Sequence, residues 1–297
     1  MRWSGDALVF ENFFQKKAVS SNLLLSDMLG KLASYQTVQS VKTQFSGKDE
    51  SGWDEILADL VENHILVLEN SPQDLAERKL DDSWKWDLPA RYFHFMTKNV
   101  THIVEPRSEE RKHFEELAER EPLPAHYKDY STPFISLPAP QRLNDQYFSD
   151  VLLNRRTQRW FKPAAITASE FSQLLFYTWG KTASVEEGPI DKRIMRTSAS
   201  AGCRHPIEVY PVVLNVEGIE PGIYHYSVRR HGLELLKGGN FDAEILVFCY
   251  NQEWVRHASA YFLMTAVLPR TMWRYRFSRA YRVVLMDAGH LGRVNTN

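Results

Sequence analysis

Cysteine is scarce in this 297-residue chain, which has only Cys203 and Cys249. Two thiols supply neither a disulfide framework nor the four ligands of a structural zinc site, so a reduced, cytosolic pair is expected. A charge excess is missing too. Lys plus Arg number 36 and Asp plus Glu 37, giving a formal net charge of −1 and no global field toward nucleic acid or a membrane surface. No apolar run approaches a membrane span, and Met1-Arg-Trp-Ser-Gly-Asp6 has no signal-like apolar stretch, so a cytoplasmic protein is expected. The glycine pattern of a dinucleotide fingerprint is also lacking. What is present is 43% hydrophobic content, over a length that buries a sizeable core and has room for two domains.

From Phe10 to Asn70 the pattern predicts three short helices followed by a strand, the order of a winged-helix domain. Ser20 or Ser21 caps the first, where Leu23, Leu24, Asp27, Met28 and Leu32 follow with apolar residues near helical spacing. Thr37 to Phe45 is a weaker second helix. Ser51-Gly-Trp-Asp54 is a start signal for the third, whose stripe is Ile56, Leu57, Leu60 and Val61, ending at His64. Ile65-Leu-Val-Leu-Glu69 is then the strand. A DNA-binding reading fails on charge: this stretch holds five lysines, no arginine and nine acids, the wrong sign for a phosphate footprint.

Trp84 to Thr97 is an aromatic connector in which His94 reads as a core histidine. Glu105 to Arg120 is a charged, solvated helix. Prolines at 122, 124, 133, 138 and 140 mark an extended linker and a domain boundary near residue 140.

Three segments beyond the linker carry chemistry. Arg155, Arg156, Thr157 and Arg159 place three guanidinium groups and a hydroxyl within one and a half turns, suited to a phosphate dianion and to negative charge on a bound cofactor; a solvated helix end is the other reading. Thr167-Ala-Ser-Glu170 is a capping box opening a helix through Phe171, Leu174, Leu175 and Phe176 to Gly180. The run Arg196-Thr-Ser-Ala-Ser-Ala-Gly-Cys-Arg-His-Pro206 packs small residues against a strand over Ile207 to Val216, so Ser200, Ala201, Gly202 and Arg204 form either a tight turn or a loop whose backbone meets a flat cofactor. Cys203 within it is a small spacer. Ile223-Tyr-His-Tyr226 and Leu233-Glu-Leu-Leu236 continue a β-meander, and Trp254 to Val267 reads as helix into strand.

In order and spacing these segments, together with Glu217-Gly-Ile-Glu-Pro-Gly222, Trp273-Arg-Tyr275 and Asp287-Ala-Gly-His-Leu291, resemble the SagB-type dehydrogenases, a flavin-dependent branch of the nitroreductase-like fold. The resemblance implies an α+β chain: a winged-helix-like peptide-recognition domain (1–80), a connector (81–142) and a nitroreductase-like α/β/α sandwich (143–297), short at its C-terminus. It implies FMN held by Arg155, Arg156, Thr157, Arg159, Ser200, Ala201, Gly202 and Arg204, a homodimer, a ribosomal precursor peptide as substrate and a cyclodehydratase complex as partner. The implied reaction oxidises a peptide thiazoline or oxazoline to the azole, with dioxygen as final acceptor. Relatives carry proline where Ala199 stands, and a catalytic Lys-Tyr pair where Arg274 and Tyr275 stand. An arginine stays charged, so Arg274 suits a stabilising role better than that of a base. Relatives also continue beyond His290 with a helix, a loop over the flavin and a closing strand. The alternatives are a nicotinamide-dependent oxidoreductase of a small molecule and an inactive peptide-binding scaffold.

Overall fold

A computed structural model of the chain describes residues 1–21, 23–32, 34–45, 52–100, 106–142, 147–186, 190 and 192–295. The chain folds as two compact units, Met1–Thr101 and His102–Asn297.

The first unit opens with an antiparallel meander, β1 (Arg2–Ser4), β2 (Ala7–Asn12) and β3 (Lys17–Ser21), in that spatial order, so β3 is an edge. Leu8 and Phe10 of β2 lie in a core with Leu25 and Met28 of α1 (Leu23–Lys31), Val41 of α2 (Val38–Phe45), and Trp53, Leu57 and Leu60 of α3 (Trp53–Glu62). The spacing of the last three, one and then nearly two turns apart, gives α3 its buried stripe. Its N-cap is Gly52 at φ 85°, whereas the serine of the expected start signal, Ser51, lies outside the described residues, as does Glu105.

The expected strand at Ile65–Glu69 does not form. Instead His64 takes φ 54°, and the amides of Ile65 and Leu66 both bond the carbonyl of Leu60, so the apolar run closes the C-terminus of α3 and packs on the core. The strands of this unit precede its helices. Two further helices follow, α4 (Pro72–Ser83) and α5 (Leu88–Thr97). Ser71 caps α4 through the amide of Asp74, with proline in the first turn. His94 lies between Trp84 and Phe95, ring centroids 5.4 and 5.1 Å away.

In the second unit α6 (Arg107–Arg120) precedes the proline-rich stretch, which contributes a short strand, β4 (Phe134–Ser136). After α7 (Phe148–Asn154), the helix α8 (Ala168–Trp179) starts at the capping box, with Thr167 and Glu170 bonding reciprocally. Phe171, Leu175 and Trp179, successive turns on one face, are at most 1% exposed, while Leu174 faces out. Next come the hairpin β5 (Lys181–Glu186) and β6 (Lys192–Arg196), the meander β7 (Ile207–Val213), β8 (Gly222–Ser227) and β9 (Gly232–Gly238), then α9 (Asp242–Phe248), β10 (Ala260–Ala266), α10 (Leu268–Met272) and α11 (Ala280–Asn295). The antiparallel sheet has the order β10-β7-β8-β9-β4. Strand β7 is covered on both sides: Val209 and Val213 join Phe171, Leu175 and Val284 of α11, whereas Val212 joins Phe241, at the N-cap of α9, and Ile245 of α9. Layers on both faces explain a strand that reads as a continuous apolar run, and make the unit an α/β/α sandwich.

Candidate active site

The small-residue segment is a loop between β6 and β7, anchored at several points. Ser198 Oγ donates to the Thr178 carbonyl at 2.8 Å. Ser200 Oγ donates to Asp287 on α11 and accepts the His205 amide at 2.9 Å. Burial pushes the Asp287 carboxyl above its ordinary pKa, and hydrogen bonds from Ser200 and the Ala201 amide oppose the shift. Arg204 is buried and folds back, its Nε donating to the Gly202 carbonyl at 2.9 Å. His205 Nε2 donates to the Ile194 carbonyl at 2.7 Å. Burial, aided by the charge of Arg196, lowers its pKa to about 3, so the imidazole is neutral.

The apex is left-handed: Gly202, Cys203 and His205 have φ of 57°, 52° and 44°. Glycine at 202 is also demanded by space. A Cβ there would lie 2.7 Å from Tyr275 Oη and 3.1 Å from Arg274 Cδ. The loop and the expected catalytic pair, some seventy residues apart in sequence, therefore meet in space.

The pair is held from outside by α6. Trp273 stacks on Phe114 and donates Nε1–H to the Glu121 carbonyl at 2.8 Å; Arg276 pairs with the Glu121 carboxylate. Arg274 lies over the Phe114 ring at 4.6 Å and reaches Glu110 Oε1 at 3.3 Å. α6 is thus a docked helix, not the solvated one its charge suggests, because Phe114, Leu117 and Ala118 make one of its faces apolar. Tyr275 is half-buried, and its hydroxyl makes no hydrogen bond among the described residues. It is the group left available where loop and pair meet.

The arginine cluster is placed differently from expectation. α7 ends at Asn154 with Arg155 as its C-cap, so 155–161 run as irregular chain without the helical turn that would bring the guanidinium groups together. Arg156 bonds the carbonyls of Leu153 and Arg155, Arg159 lies 6.0 Å over the Trp254 ring, and Thr157 is exposed. Arg155 Nε is buried without a hydrogen-bond partner among the described residues. The hydrogen bonds and ring contacts of Arg156 and Arg159 run to these groups and not to the 198–205 loop.

Sequence reasoning missed Asp287 as an anchor, and it missed Glu208, His225, Glu234 and Arg270, all nine-tenths or more buried. The signal was there: single charges interrupt apolar strands at Ile207-Glu-Val209 and Leu233-Glu-Leu235, and a histidine sits between Tyr224 and Tyr226.

A model of the nitroreductase family matches residues 152–293, from α7 through α11. A nitroreductase-family protein of Methanocaldococcus jannaschii is 31% identical over 144 residues, 48% of this chain and 68% of that protein. The trifolitoxin-processing protein TfxB of Rhizobium leguminosarum bv. trifolii is 32% identical over 133 residues, 43% of this chain and 36% of its own length. A nitroreductase-family structure from Anabaena variabilis overlays with a TM-score of 0.48 at 26% identity, covering 68% of this chain and 36% of that one.

Proposed function

The chain belongs to the nitroreductase family, and from that premise we propose that it is an FMN-dependent oxidoreductase acting on an azoline ring of a ribosomal peptide. The observation that carries the reading is the meeting of Tyr275 with Gly202. A tyrosine hydroxyl with no hydrogen-bond partner among the described residues lies against the small-residue loop, where it would move a proton beside a flavin held at the loop's edge.

Two groups of residues would hold the cofactor. Ser200, Ala201, Gly202 and Arg204 would border the ring system. Arg155, whose Nε has no hydrogen-bond partner among the described residues, and Arg156, Thr157 and Arg159 would take the phosphate. FMN supplies acceptance of two electrons with hydrogen. Oxidation of azoline to azole removes one proton and one hydride equivalent from the ring; Tyr275 would move the proton, and Arg274, held by Glu110, would stabilise the carbonyl-side charge left behind. Dioxygen would take up the electrons.

The first unit supports a peptide substrate. Beside the edge strand β3 lies a groove lined by Leu25, Met28, Trp53, Ile56 and Leu60, which suits an extended segment adding to the sheet and dropping alternate side chains inward. Similarity to a trifolitoxin-processing protein favours the same reading, on which the chain would act as a homodimer with a separate cyclodehydratase.

The test is anaerobic single-turnover reduction of FMN-loaded protein by an azoline peptide. Tyr275→Phe is expected to slow it roughly 10²–10⁴-fold, the range for losing a general acid–base group. Equal rates with and without the hydroxyl would remove Tyr275 from the chemistry. Reduction by NAD(P)H in place of the peptide would favour the small-molecule reading, which similarity to the Methanocaldococcus protein supports.

A further inference from the structure

A line of buried charge crosses the meander behind the loop. Glu208 on β7, His225 on β8 and Glu234 on β9 are each at most 3% exposed. His225 Nδ1 is 2.7 Å from Glu234 Oε2 and its Nε2 is 3.1 Å from Glu208 Oε2. A neutral imidazole donates through one nitrogen only, and an ionised carboxylate only accepts, so two carboxylates on opposite sides of one ring call for a hydrogen on each nitrogen. The rings of Tyr130 and Tyr210 pack beside His225 at 5.1 and 5.3 Å. Exposed Arg230 pairs with Glu234 at one end.

At the other end stands Arg270 of α10, 3% exposed. Its Nη1 lies 2.5 Å from Glu208 Oε1 and donates to the His205 carbonyl at 3.0 Å, and its Nε donates to the Ala125 carbonyl at 2.8 Å. One guanidinium therefore joins the sheet, the proline-rich strap and the end of the loop. Burial works to raise the Glu208 pKa, but His225, Arg270 and Arg196 together bring it below the usual carboxylate value.

We propose that Arg270 is a positioning residue for the 198–205 loop, and that Glu208, His225 and Glu234, with a hydrogen on each imidazole nitrogen, fix the carboxylate that aims it. The role rests on the FMN reading only where cofactor affinity is measured. A planar fork spans three acceptors at once; a lysine keeps the charge beside Glu208 but cannot hold both carbonyls.

Arg270→Lys in the full chain is the first test. By amide exchange of the ligand-free protein, residues 198–205 are expected to exchange at least about tenfold faster, with β8 and β9 unchanged. FMN affinity is expected to fall roughly tenfold, while Arg230→Gln at the solvent end leaves it as it was. Should Arg270→Lys not fold, the pair Glu208→Gln with Arg270→Gln removes both buried charges while keeping polar side chains at both sites, and should free the loop in the same way. Nitrogen NMR of the native protein at pH 7.5 should show both His225 ring nitrogens protonated. Unchanged loop exchange in a folded variant, or faster exchange spread evenly over β7 to β9, overturns the positioning role. A bare ring nitrogen on His225 overturns the charge row. Failure of the native chain to bind FMN would overturn the cofactor reading, and the exchange data would still decide the role of Arg270.

Discussion

His205 should make the second unit sensitive to acid. Its pKa is about 3 in the fold, against 6.5 for an unburied histidine, because the ring is enclosed and Arg196 repels a second charge. Between those two values the unfolded chain holds a proton that the folded chain does not. Stability is therefore full above about pH 6.5 and is lost as the pH falls toward 3. At pH 5, 1.5 units below the unfolded value, the loss relative to pH 8 is about 2 kcal/mol, and the limit at still lower pH is about 5 kcal/mol at ~1.4 kcal/mol per unit. His205→Gln keeps an N–H within reach of the Ile194 carbonyl but does not titrate. Urea unfolding at pH 8 and pH 5, read through amide exchange of the β7 to β9 meander so that the first unit does not contribute, should show the variant losing about 2 kcal/mol less between the two pH values. His126 and His231, whose pKa values burial also lowers, add to the slope of both proteins and drop out of the difference. Identical slopes would mean that the ring is protonated in the folded state and that its enclosure has been misjudged.

Gly202→Ala should destabilise the second unit by about 1–3 kcal/mol, the scale of a strained left-handed residue, and adding Tyr275→Phe should recover part of that loss, since the added Cβ falls 2.7 Å from the hydroxyl; strict additivity in thermal melts would argue against the contact. Phe171→Ala empties a site with no exposure between α8 and the sheet and should cost about 3–5 kcal/mol in urea unfolding. Arg155→Ala and Arg159→Ala should each weaken FMN binding by roughly 1.5–3 kcal/mol in fluorescence titrations if the cluster takes the phosphate, and neither should if it is a solvated surface.

How far the sequence revealed the molecule depends on whether a signal was local. α8 was legible at both ends because its capping box and its stop at Gly180 act within one turn. The meander was legible from β-branched and aromatic runs broken by glycine turns, and Gly202 from the small residues around it. The strand expected at Ile65–Glu69 failed because an apolar run of that length serves equally well to close a helix, and only the fold of β1 to β3 settles which. α6 was misjudged because its charged majority hides a stripe of three residues that matters only once Trp273 is there to meet it. The arginine cluster kept its residues and lost its helix: Arg155 and the chain beyond it leave the α region. Asp287 and Arg270 were invisible as anchors because their partners come from distant parts of the chain.

The charge row also bears on the order in which the second unit assembles. Strands β7, β8 and β9 follow one another with short turns, and such local pairing forms early. Its interior, however, closes over Glu208, and the guanidinium that answers that carboxylate arrives on α10, 65 residues past the His205 carbonyl it also binds. Until then water must stay at the β7 face, since an uncompensated buried charge is costly. Drying of the sheet and closure of the loop thus become a single late event, and a chain stalled before α10 docks would present a formed meander beside an unformed site.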